Sequence, residues 1–500
     1  MAVLTRRRRS VLVALAVAAI VAAANASQGA YFSQSWGWVA LAFLVPTTVA
    51  LILGVEAPGR RRGLFAILVV ALGAWIALSA LWSLSPAASI RETERMLVYV
   101  SLALAVALLL RRGDAPAIPL GALVGIVAIA GYALATKLFQ GVAPEEDPDA
   151  PVRLAGPVGY WNALGLLASC GILLALGICS HGRRSSLVAA AAATLPTLAC
   201  TLYFTFSRGA WVALAAGLLA MLALDARRLR ALVTAVPACV APTAAIALAS
   251  QRSALTSEGA ALADAVAEGR DLALWIVVLS GGSALLALSA RSVSRAVPVG
   301  RSLRRAVDLA LGLSLVVSVA ALVASQGGPV SLAAELRERA RSGLAMEDPS
   351  NVQERLFSLS ATGRLEHLEV AWKAALESPI VGNGAGTYEI SWYELRPVAF
   401  DVRDAHSLYA EALAEVGVIG LALLLVALVL PALAALSARR SPFVPAAFGA
   451  YVAWAAHSAL DWDWEVVGVT ATALLSGGAC LLAAERHRGS PLSDAVRRPI

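Results

Sequence analysis

Arg208 lies in a short polar turn and has a side chain suited to binding an anion. The turn is Ser207-Arg208-Gly209, and it joins two apolar segments with almost no loop between them. A guanidinium is planar and always charged, so it can hold a phosphate group through two parallel N–H bonds. Gly209 would let that phosphate approach the backbone closely. The alternative interpretation is an arginine that snorkels to lipid phosphates.

Arg364 and His406 are two further residues whose side chains could take part in a reaction. Arg364 follows Thr362-Gly363 at the predicted start of a helix, and a helix N-terminus beside an arginine is a natural anion site. His406 follows Asp404 where a long polar segment re-enters an apolar run, and it is the best candidate for a general base near neutral pH. The alternatives are a solvated charge for Arg364 and a structural histidine for His406.

The other polar residues do not form a recognisable metal or nucleotide motif. No two histidines have the spacing of metal ligands, and carboxylates cluster only at 145–149 and at Asp461 and Asp463. No glycine-rich phosphate-binding motif occurs. His457 lies within an apolar run, where an ionisable group is a functional candidate by default. We therefore expect no metal and no cofactor, and a substrate that arrives already activated.

The composition indicates the environment that must position these groups. Hydrophobic residues make up 59% of the 500 residues and charged residues only 15%, against about 25% charged in soluble domains. Helices satisfy their own backbone hydrogen bonds and can therefore lie in lipid. The net charge of +7 comes from short basic clusters between apolar runs, which indicates topology signals rather than a nucleic-acid surface. The five cysteines include no CxxC pair and are interpreted as buried thiols.

Fourteen apolar runs approach the roughly 20 residues that a transmembrane helix needs. The sequence therefore predicts an all-α, polytopic transmembrane helical bundle. The first run, with Arg6–Arg9 before it and Ala24-Asn25-Ala26 at its end, also has the form of a signal peptide, but a retained helix is preferred. The runs are 11–28, 37–55, 64–83, 96–110, 118–138, 160–180, 187–206, 210–224, 231–250, 272–290, 306–325, 407–436, 443–460 and 466–484.

Basic residues predict the orientation of these helices. With a cytoplasmic N-terminus and alternating spans, 25 of the 40 Lys and Arg residues fall in cytoplasmic segments, as the positive-inside rule requires. Both termini are then cytoplasmic. The predicted organisation is transmembrane helices 1–11 within 1–325, an extracytoplasmic loop domain at 326–406, transmembrane helices 12–14 within 407–484 and a cytoplasmic tail at 485–500.

The long outer segment is predicted to contain short amphipathic helices, at 331–345 and 363–377, followed by a glycine turn at 382–386. A helix lying on the membrane beneath this turn would form a lid over an outward-facing cavity. Aromatic residues that follow are either interface anchors or sugar-stacking platforms. The apolar stripe of the second helix is Leu365, Leu368, Trp372 and Leu376. The aromatic residues are Tyr388, Trp392 and Tyr393.

Three segments together resemble the O-antigen ligase/polymerase superfamily of bacterial membrane glycan transferases. Their order is the specific feature, with the long outer segment between the second and the third, and the resemblance is firmest from 156 to 421. The segments are Phe206–Ala210, then Gly363-Arg364 with Trp372 and Pro379–Gly384, then Asp404–Tyr409 with Glu415–Gly420, and Gly159–Gly165 is also similar to this family.

The resemblance implies a GT-C-like membrane fold that transfers a glycan from a polyprenyl diphosphate carrier to an acceptor hydroxyl without a metal. Arg208 and Arg364 would bind the diphosphate, and His406 would activate or orient the acceptor. The family commonly has asparagine after this histidine, and Ser407 stands there in this chain, which leaves the acceptor geometry open. Candidate contacts to acceptor or sugar are Ser407, Tyr409, Trp392 and Tyr393.

The implied partners are a lipid-linked glycan donor, a glycan, lipid or protein acceptor, and membrane lipids, with no nucleic acid. The implied location is the plasma (inner) membrane, with the active site on the extracytoplasmic side. A polymerase of lipid-linked repeats shares this chemistry, and the sequence does not separate it from a ligase. An anion transporter is the alternative from another class, although no inverted repeat is evident in the sequence. A receptor or scaffold is a weaker alternative.

Overall fold

The computed structural model describes residues 6–55, 57–140, 152–257, 259–296, 364–397 and 400–485. Within these ranges the regular elements are helices, with no strand, so the predicted all-α class is confirmed for them. The helices are α1 (Arg6–Ala26), α2 (Ser33–Ile52), α3 (Arg60–Ser79), α4 (Pro86–Leu108), α5 (Ala117–Leu138), α6 (Trp161–His181), α7 (Ser185–Ala193), α8 (Leu195–Phe204), α9 (Arg208–Leu224), α10 (Arg228–Ala238), α11 (Val240–Ser250), α12 (Leu262–Ala296), α13 (Arg364–Glu377), α14 (Tyr388–Leu395), α15 (Leu408–Ala438), α16 (Val444–His457) and α17 (Val467–Ala483).

Nine helical stretches of the described residues are long and apolar enough to cross a membrane. Two of these stretches each consist of two consecutive helices. One is α7 with α8, and the other is α10 with α11. Thirteen of the fourteen predicted runs coincide with helices, and the run 306–325 lies outside the described residues, as does the predicted loop helix 331–345. The chain is a multi-pass membrane protein, while the count of fourteen spans and the GT-C-like class remain predictions.

Two helices form the centre of the bundle. In the most apolar 18-residue stretch of α6, 94% of the residues are buried. Almost every residue of α17 is buried as well. A helix that is apolar on all sides is stable when it is surrounded by other helices. Both helices begin at the same end of the bundle, next to the polar segments that precede Trp161 and Val467. The central helices therefore provide fixed ends on which polar side chains can be held.

The first helix packs closely along α5. A Cβ added to Gly121 would overlap the carbonyl oxygen of Ala14, and one added to Gly125 would lie 2.8 Å from that of Ala18. Small residues four apart let two membrane helices approach this closely. The retention of residues 6–26 as a membrane helix remains a prediction.

A break in α15 positions the glycine turn. Gly417 has φ +65° and ψ −171°, a conformation that favours glycine. The break frees backbone groups that the turn satisfies, because Gly384 N–H donates to Glu415 O (2.8 Å) and Val418 N–H donates to Pro379 O (3.0 Å). The Glu415 carboxylate also accepts from the N–H of Gly386 (2.8 Å). The motifs around 382–386 and 415–420 thus form one structural unit.

The loop helix α13 forms where the sequence predicts a helix at 363–377, but its stripe of large apolar side chains faces outward. Trp372 is 59% exposed and Leu376 is 60% exposed, whereas Val370 and Ala374 are fully buried. Small side chains on the buried face allow α13 to approach α15 closely. The larger apolar residues therefore remain on the outer surface of this helix.

The bundle has a basic end and an opposite end that carries the loop segments. At the basic end Arg9 pairs with Asp114 (3.0 Å) and Arg62 pairs with Glu485 (2.6 Å). At the opposite end Leu84 N–H donates to Asn383 O (3.0 Å). Many of the arginines that the positive-inside rule assigns to the cytoplasm lie at the basic end. This separation supports the predicted orientation, which itself remains a prediction.

Candidate active site

A polar cavity of about 170 Å³ lies at the end of the bundle that carries the loop segments. It brings together Arg208, Arg364 and His406, the three residues that the sequence predicts as catalytic. These residues come from the start of α9, the start of α13 and the turn before α15. The residues that line it are Arg153, Tyr160, Trp161, Asn162, Phe206, Arg208, Gly209, Arg364 and His406.

Arg208 is held at the first position of α9. The preceding residue, Ser207, caps this helix by accepting a hydrogen bond from Ala210 N–H (3.2 Å). Phe206 has φ +46°, in the left-handed region that bulky side chains rarely adopt. A Cβ on Gly209 would lie 2.9 Å from Nε2 of His457, so the glycine is needed for helix packing as well as at the cavity wall.

Arg364 is oriented by Asp461, a residue that the sequence analysis did not assign to the site. Their side chains form an ion pair at 3.0 Å. The same carboxylate accepts hydrogen bonds from Tyr160 Oη (2.8 Å) and Asn162 Nδ2 (2.6 Å). Burial opposes ionisation of Asp461, but Arg364 and the neighbouring histidines hold the pKa of this carboxyl below its ordinary value. Asp461 therefore remains charged and fixes the guanidinium at the cavity.

Arg153 is a third arginine at the cavity that the sequence analysis missed. Its Nε donates to Thr205 O (3.0 Å), and its guanidinium lies over the ring of Trp161 at 4.2 Å. Stacking on an aromatic face keeps the guanidinium in a defined plane. Nothing in the local sequence around Arg153 distinguishes it from the other arginines of the predicted outer segments. The family-like stretch around Trp161 was the only signal that pointed to this region.

His406 lies with its ring at the cavity wall and has φ +53°, in the left-handed region. Its Nδ1 is 3.0 Å from the carbonyl oxygen of Asp404. A carbonyl only accepts, so Nδ1 carries the proton and Nε2 of the neutral ring is left as an acceptor. Burial, followed by Arg364, lowers the pKa of His406 from its ordinary 6.5, against the opposing effect of Asp461. The imidazole is therefore neutral at neutral pH.

The ring of His367 lies beside that of His406, with ring centroids 4.7 Å apart. His367 is 4% exposed, and burial lowers its pKa to about 3. A neutral ring at this position adds little repulsion to any positive charge that develops on His406. The contact with the His367 ring thus helps to hold the His406 ring, the candidate base, in place.

The four residues proposed as acceptor or sugar contacts do not line the cavity. Trp392 is fully buried, with its Nε1–H donating to Phe400 O (2.8 Å), so its position does not support an interface anchor or a sugar platform. Tyr409 donates its hydroxyl to Ala455 O (2.9 Å), and Ser407 is buried at the start of α15. Tyr393 is 46% exposed, beneath the guanidinium of Arg396. Their assignment as substrate contacts remains a prediction, and Tyr393 is the most accessible of the four.

His457 lies behind the cavity, rather than in its wall. Its Nδ1 is 2.6 Å from the carboxylate of Asp463, and both side chains are fully buried. Its Nε2 faces Gly209 in the first turn of α9. This buried pair holds the turn between α16 and α17, which also carries Asp461. His457 therefore supports the site through packing.

Three carboxylates come together beside the site, and one of them, Glu465, is distant in sequence from the other two. Oxygens of Asp404, Glu411 and Glu465 lie within 4.8 Å of one another, a spacing at which a metal ion could be held. Arg95 forms an ion pair with Glu465 (3.0 Å) and supplies positive charge to this group. The sequence analysis recognised no such cluster, because Glu465 precedes α17 whereas Asp404 and Glu411 lie at the start of α15.

Comparison with known protein families gives one match. Residues 193–425 match the model of a family described as O-antigen ligase. The match includes Arg208, Arg364 and His406, and it confirms the resemblance drawn from the motifs. Arg153 and Asp461 lie outside the matched residues. No curated protein matches the chain.

Proposed function

We propose that the chain is a membrane glycan transferase, because residues 193–425 match the model of the O-antigen ligase family. It moves a glycan from a polyprenyl diphosphate carrier to an acceptor hydroxyl at the outer face of the plasma membrane. The observation that carries this proposal is the presence of Arg153, Arg208, Arg364 and His406 around one small cavity. Ligase and polymerase share this reaction, and the cavity suits both.

The three guanidinium groups favour a diphosphate in the cavity. Each is permanently charged, and Asp461 orients the guanidinium of Arg364. In an enclosed site, fixed cations stabilise charge that develops on a leaving group without the need to reorganise. The arginines would thus take the role that a divalent cation has in other phosphate-transfer sites, and we expect the reaction to need no metal.

His406 has the geometry of a general base. Its Nε2 would accept the proton of the acceptor hydroxyl while that oxygen attacks the sugar C1 and forms the new glycosidic bond. The bond between C1 and the phosphate oxygen breaks, and the lipid diphosphate leaves with the electron pair. Arg208 and Arg364 would stabilise the negative charge on that diphosphate, with Arg153 at the cavity wall beside them.

Alanine variants of the three predicted catalytic residues test this proposal. We expect Arg208→Ala, Arg364→Ala and His406→Ala each to lower transfer by about 10²- to 10³-fold while membrane insertion is unchanged. Transfer is measured in liposomes with a polyprenyl diphosphate-linked glycan and membrane-extracted acceptor. Arg396→Ala is the matched control, since Arg396 lies at the same end but pairs with the exposed Asp401. Normal transfer by all three variants would disprove the site.

Two further experiments with this assay test the bidentate arginine contacts and the expected independence from a metal ion. Arg208→Lys and Arg364→Lys are expected to be poorly active, because an ammonium cannot reproduce a bidentate contact. Treatment with EDTA is expected to leave the rate unchanged. Loss of activity that Mg²⁺ restores would instead point to Asp404, Glu411 and Glu465 as ligands. Because the assay follows bond formation, it also separates a transferase from the transporter alternative.

A further inference from the structure

Two adjoining cavities lie at the basic end of the bundle, far from the candidate active site. Their volumes are about 720 Å³ and about 530 Å³. They share Arg6, Pro116, Leu120 and Arg184 in their walls. Nothing in the proposed transfer reaction uses this region.

The larger cavity continues as an apolar groove between α1 and α5. Its wall on α1 runs from Arg6 to Ala18, which is about 18 Å of helix. Val11, Leu15 and Val124 line the groove and are each more than half exposed, so it opens on the outside of the bundle. The length is close to one leaflet of a hydrocarbon core about 30 Å thick. A single acyl chain fits these dimensions.

Four guanidinium groups surround the basic end of the groove. They belong to Arg6, Arg7, Arg183 and Arg184, and none of them forms an ion pair with a carboxylate in the described part of the chain. Other basic side chains at this end do have carboxylate partners, since Arg9 contacts Asp114 and His181 contacts Asp225. Among the described residues, the basic end of the groove therefore has an excess of positive charge.

The arginines at this rim are positioned by the fold. Arg291 of α12 donates to the carbonyl oxygen of Arg183 (2.5 Å), which holds the turn between α6 and α7. Arg6 lies against Gly113, where an added Cβ would be 3.1 Å from Nε. Arg9 donates to Leu109 O (2.8 Å) and fixes the start of α1 on the turn before α5. The two sides of the rim are thus held by separate contacts.

We propose that these cavities bind one anionic phospholipid of the adjacent leaflet. Its phosphate lies between Arg6 and Arg184, and an acyl chain occupies the groove between α1 and α5. Charge complementarity selects an anionic headgroup, since basic pockets between membrane helices bind such lipids. The one-leaflet length of the groove favours an acyl chain over a longer polyprenyl chain.

Lipid binding to the full chain tests this inference. The purified protein is titrated with phosphatidylglycerol or phosphatidylcholine of the same chain length, and binding is followed by native mass spectrometry and by thermal shift. We expect a preference for phosphatidylglycerol. The double variant Arg6→Gln/Arg184→Gln should weaken its binding roughly 10- to 30-fold, since each arginine near the surface contributes about 1 kcal/mol.

A matched double variant separates a defined site from general surface charge. Arg439→Gln/Arg440→Gln removes two exposed arginines at the same end that do not line the cavities, and it should bind phosphatidylglycerol within twofold of the unmodified chain. Val124→Trp, which fills the groove and keeps the charges, should weaken binding of long-chain more than short-chain phosphatidylglycerol.

The outcomes that would overturn the inference are distinct. An equal loss in both double variants would mean diffuse surface charge only, and no preference over phosphatidylcholine would mean no headgroup site. Displacement of phosphatidylglycerol by a lower concentration of polyprenyl phosphate would assign the groove to that lipid instead. Thermal unfolding of each variant in phosphatidylcholine verifies that it is folded, and the single variant Arg184→Gln replaces the double variant where it is not.

Discussion

At the scale of residues, the candidate site depends on the buried carboxylate of Asp461, which contacts several polar side chains. Asp461 receives hydrogen bonds from Tyr160 and Asn162 and pairs with Arg364. A carboxylate with three donors is satisfied and charged, so its buried position is tolerated. The Arg364 guanidinium that it orients lies in the same cavity wall as Arg153 and Arg208.

Replacement of this carboxylate tests its positioning role. Asp461→Asn keeps the size of the side chain but removes the charge, so Arg364 should lose its fixed orientation. We expect transfer to fall about 10-fold or more, since charge-assisted contacts of this kind contribute about 1.5–3 kcal/mol, with a smaller effect on donor affinity than on rate. Asp401→Asn is the control, because Asp401 pairs with an arginine outside the cavity. An unchanged rate in Asp461→Asn would show that Arg364 needs no such partner.

The pH dependence of transfer tests the role of His406. The base must be neutral to accept a proton, and burial lowers the pKa of His406 below 6.5. A lowered pKa means that the active, neutral form persists to lower pH. We therefore expect the rate to be flat from pH 8 to pH 6.5 and to fall only below pH 6.5, in an assay where folding is monitored in parallel. An acidic limb centred above pH 6.5 would contradict this assignment.

At the scale of elements, the site depends on helix ends that are fixed by other helices. The start of α15 is held because Leu408 N–H donates to Ser458 O (2.8 Å) at the end of α16. Nine residues later, the break at Gly417 is held by the glycine turn that follows α13. The segment with His406 and the helix with Arg364 are therefore parts of one packed unit.

A glycine substitution tests this unit. A Cβ on Gly417 would overlap the carbonyl oxygen of Ile380, and its φ of +65° disfavours other residues. We expect Gly417→Ala to lower the free energy of unfolding by about 2 kcal/mol or more, measured by thermal unfolding in detergent. Gly281→Ala is the control, since that glycine has open space around it in α12 and alanine favours helices by about 0.5–1 kcal/mol. Equal stability of both variants would contradict the packing described.

At the scale of the whole molecule, the two ends of the bundle have different chemistry. Within the described residues, one end carries the polar cavity and the loop segments, and the other carries clustered arginines such as Arg6, Arg183 and Arg184. The positive-inside rule assigns the basic end to the cytoplasm. The proposed lipid site would then face the cytoplasmic leaflet, and glycan transfer would occur on the other side of the membrane.

Cysteine labelling of intact cells tests this orientation. Arg396→Cys lies at the end with the cavity and replaces a partly exposed residue. Arg440→Cys lies at the basic end and replaces an exposed residue. In a background in which the exposed Cys239 is replaced by serine, a membrane-impermeant maleimide should label Arg396→Cys directly. Arg440→Cys should be labelled only after the membrane is permeabilised. The reverse pattern would place the proposed active site in the cytoplasm.

The sequence by itself determined the membrane class and the positions of most helices, and it predicted three residues that line the candidate site. Apolar runs are local features, and a helix forms its hydrogen bonds within the run, so thirteen of the fourteen runs are found as helices. Arg208, Arg364 and His406 were recognisable because each lies at a local boundary between polar and apolar segments. The superfamily resemblance came from the same short motifs and was confirmed by the match over 193–425.

The tertiary structure decided which distant residues share a site. Asp461 contacts Asn162, 299 residues away in the chain, and Arg153 reaches the cavity from the segment before α6. No periodicity encodes such contacts, because they depend on the way helices pack and on which ends become neighbours. The same reason explains Trp392, which is buried although an aromatic residue near a membrane boundary suggested an exposed platform. Short stretches of the sequence indicate which side chains could take part in chemistry. Which side chains become neighbours depends on how the helices pack across the whole bundle.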